Sequence, residues 1–264
     1  MAVSVTIGGP KIEGLELMSP AVPEFDAAVR ALFRGNSDEL LRLKPFLTIL
    51  SNRCDRALVA YALKWEVGQR AGKHVITAQH KYPDAVAPAA PRRGNELCPG
   101  EQKIVAMSIE VNCGRWGEPA TEEFYLRQFI DWFTEYDDAD ALEISIDAAI
   151  FDDGEFVGPN ESELDQDFRA YVDAKQDYYR MIIQGLDSGM HLDEALAPIE
   201  AIVRATATNP GMDSRDVRKM WQKTAAPEVR SWRVKYGDEA APEIYRRALR
   251  TEPFVIRGGT RPGC

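Results

Sequence analysis

Along roughly the first 158 residues, apolar positions come in short blocks with β-branched or aromatic residues, separated by turn-forming clusters. Beyond residue 160 they recur at about 3.6 residues instead, so the pattern changes from strand-like to helical. "PFLTILSN" (45–52) and "ALVAYALKWEV" (57–67) read as strands either side of the polar turn "SNRCDR". "KHVITAQH" (73–80) is a third, and "CPGEQKIVAMSIEV" (98–111) continues the series after a turn at Pro99-Gly100. In "LEISIDAAIF" (142–151), Ile144, Ile146, Ala148 and Ile150 share one face, since strand side chains alternate. Asp152-Asp153-Gly154 then supplies hairpin chemistry before the apolar run resumes at Phe156.

Helical patterns break into this region twice. "PEFDAAVRALFRG" (23–35) opens on Pro and stops at Gly, and "TEEFYLRQFIDWFTEYDD" (121–138) carries its aromatic residues along one side. After residue 160, Leu164, Phe168, Tyr171, Val172, Tyr178, Tyr179, Ile182, Ile183 and Leu186 form one long stripe. Asn160 with Glu163 fits a helix cap ahead of it. A second helix is predicted over 192–206, with Pro198 early enough in it to be tolerated, and shorter ones over 214–223, 228–236 and 242–250.

These elements predict an α+β chain: an immunoglobulin-like antiparallel β-sandwich over 1–158, with inserted helices near 23–35 and 121–138, then an α-helical region over 159–264. The chain has 264 residues and 45% apolar content, which suits such a body and argues against bulk disorder. Its net charge is −10, unevenly distributed. Residues 118–177 hold 19 acidic and 3 basic side chains, a balance of −16, and residues 202–264 hold 13 basic and 7 acidic, a balance of +6. Solvated faces with some intramolecular attraction are the first expectation, and attraction between copies is the second. The acidic middle argues against nucleic acid, despite Trp221, Trp232, Tyr236 and Tyr245 lying among Lys and Arg. No apolar run is long enough to span a membrane, and no signal peptide is visible. Taken as it stands, the chain points to the cytoplasm, with export of a longer precursor left open.

"LKPFLTILSNRCDRALVAYALKWEV", "LCPGEQKIV" and "SIDAAIFDDGEFVGPNE" with a long helix after it together resemble a group of bacterial proteins with no assigned activity. Its members combine a β-rich N-terminal region, a segment of the form ID-x-x-x-F-x-DG-x-x-x-GP-(N/D) and a helical tail. The resemblance covers about residues 43–186 and implies a fold of that order, without a reaction.

The acidic stretch Asp147, Asp152, Asp153, Glu155 and Asn160 invites calcium, because hard cations take six to eight oxygens. The EF-hand spacing is absent, however, and Asp147 stands some 15 Å from the turn at the usual strand rise. A hairpin followed by a helix cap is therefore preferred, with Asp152, Asp153 and Glu155 kept only as weak metal candidates. His74 and His80 lack zinc-ligand spacing, and Asp187, Ser188 and His191 sit in a helix linker without a nucleophile elbow. Neither "IGGPK" nor "RGGTRPG" matches a phosphate loop. Reduced thiols are expected for Cys54, Cys98, Cys113 and Cys264, with a Cys98–Cys113 or Cys54–Cys113 bridge left open.

No catalytic residue, metal or cofactor is predicted. Phe124, Tyr125, Phe129, Trp132, Phe133 and Tyr136 are the candidate partner surface, although packing on the sandwich is their first reading. The functional expectation is a non-enzymatic protein-binding or assembly module. Its partner is another protein or a second copy, in which case apparent mass should fall as salt screens the charges. The alternative is a metal-dependent hydrolase using acidic residues around 147–160.

Overall fold

Strand-forming residues separated by more than a hundred positions meet in a mixed α+β chain, seen in a computed structural model. It describes residues 3–33, 35–82, 86, 96–107, 109–111, 133, 136, 138–208, 217–250, 252 and 254–258. The chain divides into two compact units. One comprises Met1–His80, Glu96–Leu164 and Gly258–Cys264, and the other comprises Lys81–Asn95 and Asp165–Arg257.

The first unit holds two sheets. Strands β1 (Ser4–Ile7), β2 (Leu15–Met18), β3 (Leu47–Asn52), β4 (Leu58–Gln69), β5 (Gly72–Lys81), β6 (Gln102–Ala106), β7 (Ile109–Val111), β8 (Ala141–Phe151) and β9 (Glu155–Val157) supply them. One sheet has the order β2-β3-β6-β7. The other runs β9-β8-β4-β5, with β1 pairing in parallel to β8. Ser4 faces Ala141 and Ile7 faces Ile144, whereas Phe156 and Val157 pair with Ile150 and Ala149 further along the same strand. Thus β1 and β9 lie along one edge of β8, and β4 takes the other.

The polar turn "SNRCDR" does not pair the two strands it separates. It is an arch: β3 belongs to the smaller sheet and β4 to the larger. Asn52 fixes it, donating from Nδ2 to the carbonyls of Arg56 (2.7 Å) and Leu97 (2.8 Å) while its Oδ1 accepts from Cys54 N (3.0 Å). The Arg53 N–H reaches the Gly14 carbonyl at 2.6 Å. Cys54 is buried and disulfide-bonded, its mate lying outside the described residues, whereas Cys98 is a thiol. This corrects the expectation of reduced thiols throughout. Burial explains the apolar blocks: all of β3 and β8 from Ile144 onward are covered on both faces.

Helices α1 (Phe25–Leu32) and α2 (Ser37–Leu41) belong to the first unit. Phe25 and Val29 of α1 are fully buried, as its amphipathic pattern requires. Of the second predicted insertion only positions 133, 136 and 138 are described.

The second unit is built on α3 (Leu164–Asp187), α4 (Leu192–Thr208) and α5 (Val217–Ala248). Every predicted member of the α3 stripe except Leu186 is buried. The α3–α4 linker closes on a Schellman arrangement, with Gly189 at φ 91° and the Met190 N–H on the Gly185 carbonyl at 3.1 Å. The three short C-terminal helices of the sequence reading prove to be two longer pieces. Pro227 lies inside the first without ending it, and the break falls at Gly237 (φ 79°, ψ 165°). Buried packing of Ala225, Ala226, Val229 and Trp232 holds the helix through the proline.

Candidate functional site

The β8–β9 hairpin carries the acidic residues singled out by sequence. Its turn has the Gly154 N–H on the Phe151 carbonyl at 2.9 Å, with Gly154 at φ 85°. The Asp153 side chain accepts from Glu155 N (2.9 Å), an Asx-type closure. Arg56, at the end of the arch, pairs with Asp153 at 3.0 Å and with Glu155, and its guanidinium lies 4.3 Å from the Phe151 ring centroid. Burial pulls the Arg56 pKa down, but hydrogen bonds and charge from Glu155 and Asp153 outweigh it, so the net direction is upward.

Asp147 is directed elsewhere. It is 2% exposed, and its carboxylate accepts from Glu161 N (2.9 Å), Ser162 N (3.0 Å) and the Ser162 hydroxyl (2.5 Å). Its carbonyl also accepts from Asn160 N at 3.1 Å. Gly158 permits this close approach: a Cβ there would sit 2.4 Å from the Asp147 carbonyl oxygen, on a backbone at φ 111°. Asn160 and Glu163 both adopt left-handed φ (62° and 56°), so the expected Asn160 cap is replaced. A strand carboxylate instead holds the turn before α3. Asp147 therefore does not join Asp153 and Glu155, and among the described residues no three His, Cys, Asp or Glu side chains are placed to hold a metal ion. Asp152 contributes a backbone N–H to the Ala57 carbonyl (2.9 Å).

Next to the Arg56 pairs, a cavity of about 370 Å³ opens between the Pro10–Glu13 segment and Val157–Pro159. Arg56, Phe151 and Glu155 complete its lining. It lies where the chain leaves the β8 edge, after β1 on one side and after β9 on the other. Its size falls in the range of ligand pockets, and five of its lining residues are apolar or proline: Pro10, Ile12, Phe151, Val157 and Pro159. Sequence reasoning missed it because Ile12 and Val157 come from opposite ends of the unit, with no local signal to link them.

Of the predicted aromatic surface, Phe133 is 2% exposed and stacks on Phe46 with centroids 4.8 Å apart, and Tyr136 meets the same ring at 6.3 Å. Phe124, Tyr125, Phe129 and Trp132 lie outside the described residues. His80 packs against Tyr61 (4.8 Å), while His74 is exposed. The Ser188 hydroxyl donates to the Gly185 carbonyl (2.7 Å), Asp187 pairs with Arg246 (2.9 Å), and His191 N donates to Glu194 (3.0 Å). That linker is helix capping, not a triad.

The second unit contains a column of alternating cations and rings. Lys81 lies 4.5 Å from the Trp221 ring, which stacks on Tyr171 at 4.6 Å. Lys175 stands 5.9 Å from Tyr171 and 5.8 Å from Trp232, and Trp232 stacks with Tyr179 and Tyr245. Lys175 pairs with Glu228 (2.9 Å), which also accepts from the Tyr171 hydroxyl, and Lys81 faces Asp167 at 3.4 Å. Burial lowers the Lys81 pKa against the opposing charge of Asp167. Trp232 and Tyr245 are buried anchors, so their interleaving with Lys and Arg reflects packing.

Burial also pushes the Tyr178 and Tyr245 hydroxyls up to about 12. Below pH 10 both are neutral whether folded or unfolded, and no cost arises. Above pH 10 the unfolded phenols ionise while the folded ones resist, so stability should fall between pH 10 and about 12 and level off beyond. Melting curves across that range should show the fall, and Tyr245→Phe should flatten it. An unchanged slope in the variant would remove Tyr245 from this account.

No protein-family model, no curated protein and no solved structure matches the chain. No described helix is long and apolar enough to cross a membrane.

Proposed function

We propose that the chain is a non-enzymatic protein-binding module whose contact point is the cavity between Pro10–Glu13 and Val157–Pro159. The observation that carries this reading is that the polar groups around the cavity already serve one another. Arg56 is engaged by Asp153 and Glu155, and the neighbouring Asp147 carboxylate is filled by three donors. A catalytic or metal site needs groups poised for substrate, whereas recognition needs a shaped apolar pocket with a charged rim. Ile12, Val157, Pro10 and Pro159 supply the first, and Lys11, Glu13 and Arg56 the second. We read the first unit as an immunoglobulin-like sandwich, which the β3–β4 crossing between sheets supports. Such scaffolds commonly present binding surfaces at the ends of their sheets.

A displayed library of random peptides, panned on the immobilised protein, tests the reading. Peptides with one apolar anchor should be enriched, and Ile12→Arg should weaken their binding at least tenfold while leaving the melting temperature within a few degrees. Failure to enrich, or enrichment indifferent to Ile12→Arg, overturns it.

A further inference from the structure

We infer that the cavity between Pro10–Glu13 and Val157–Pro159 takes a peptide with a basic residue beside its apolar anchor, and that this residue lies toward the β8–β9 hairpin. The inference rests on the reading of that cavity as a protein-binding site and adds which partners it selects. Arg56, which lines the cavity, is shared among three carboxylates. It pairs with Glu155, with Asp153 at 3.0 Å and with Asp55 at 3.9 Å. One guanidinium balances one of them, so this side of the opening keeps a negative surplus. Glu13 and Lys11 add one charge of each sign to the lining. Over the lining residues and their ion-pair partners, four carboxylates stand against two cations, a balance of −2.

Exposure separates the carboxylates that close the wall from those that face a partner. The Glu155 side chain is 12% exposed and is committed to Arg56, whereas Asp153 is 41% and Asp55 90% exposed. A guanidinium or ammonium brought by a peptide meets these two at the rim, where a charge-assisted hydrogen bond forms at little desolvation cost. Lys11, exposed on the Pro10–Glu13 segment, repels the same cation and so sets which way the peptide lies. An acidic peptide meets the surplus as repulsion, which excludes it more firmly than attraction recruits its opposite. The hairpin also belongs to the stretch 118–177, whose balance of −16 steers cations toward it.

Two displayed peptide libraries, panned on the immobilised full-length protein, test this. Both hold a central Leu or Phe. One allows only Arg, Lys, Gly and Ser at the flanking positions, and the other only Asp, Glu, Gly and Ser. The basic library should enrich and the acidic one should not. The strongest basic peptide, titrated in solution, should bind roughly tenfold tighter at low ionic strength than at about 1 M salt. Asp153→Asn keeps an acceptor for Glu155 N and removes only the charge, so it should weaken binding about threefold, and Lys11→Glu should tighten it by a similar factor. If Asp153→Asn proves unstable, Lys11→Glu at its exposed position decides. Ile12→Ser should weaken the same peptide without any change of charge, which ties it to this cavity. Equal enrichment of both libraries, preference for the acidic one, or Lys11→Glu binding the basic peptide no tighter would overturn the inference and leave the binding site standing. Basic peptides indifferent to Ile12→Ser would be held by acidic surface elsewhere, which also overturns it. Enrichment of neither library overturns the inference and the reading on which it rests.

Discussion

Gly158→Ala should destabilise the first unit by about 3–5 kcal/mol, at the upper end of what single substitutions do. Two costs combine at this position. The new Cβ would lie 2.4 Å from the Asp147 carbonyl oxygen and 2.9 Å from the Ala148 Cα, both backbone atoms of a buried strand that cannot step aside. The residue would also have to hold φ 111°, where side chains are strained. Relief requires the turn at 160–162 to lift from Asp147, which breaks the hydrogen bonds from Glu161 N, Ser162 N and the Ser162 hydroxyl. Gly100→Ala is the control. It has positive φ (80°) but open space around its Cβ, so strain alone should cost about 1 kcal/mol. Urea denaturation of both variants gives the comparison, and similar losses would mean that close approach to Asp147 is unimportant.

The second large effect belongs to Glu228. Glu228→Leu takes away the carboxylate 2.9 Å from the Lys175 ammonium, whose side chain is only 2% exposed. Removing one member of a buried pair costs about 3–5 kcal/mol because the other charge stays buried. The side chain of Glu228 is 35% exposed, so water screens part of the pair and about 3 kcal/mol is expected. Lys175→Met should cost much less, because an apolar chain of similar length fills the space between Tyr171 and Trp232. The double substitution should recover most of the loss. Equal destabilisation by the two single substitutions would show that lost contacts, not the stranded charge, dominate.

Local signals in the sequence reached the structure well. The 3.6-residue stripe of α3, the strands at 47–52, 58–69 and 141–151, and the hairpin at Asp152–Gly154 follow from periodicity and turn chemistry acting over a few residues. Three features resisted for a physical reason each. Pro227 resembles a helix end, but burial of Ala226 and Val229 carries α5 through it. The arch resembles a hairpin loop, since a short polar segment between apolar runs does not reveal which sheet each run joins. The cavity is assembled from Pro10–Glu13, Arg56 and Val157–Pro159, contacts too distant in sequence for spacing to register. The acidic residues show the same division. Their hairpin was legible, whereas the distribution of Asp147 to one turn and of Asp153 and Glu155 to Arg56 depends on the direction of each side chain.

The parallel pairing of Ser4 with Ala141 has a consequence for how the chain is made. At roughly 5–20 residues per second, a ribosome needs on the order of 10 s between the two strands. Through that interval β1 has no ladder to join, and the edge of β8 that will receive it does not yet exist. The nascent segment must be kept from other partners meanwhile, by a chaperone or by its own polar flanks. A chain interrupted before β8 leaves both β1 and β4 without their shared neighbour, so fragments of this protein should be cleared by proteolysis, not accumulate as half-folded domains.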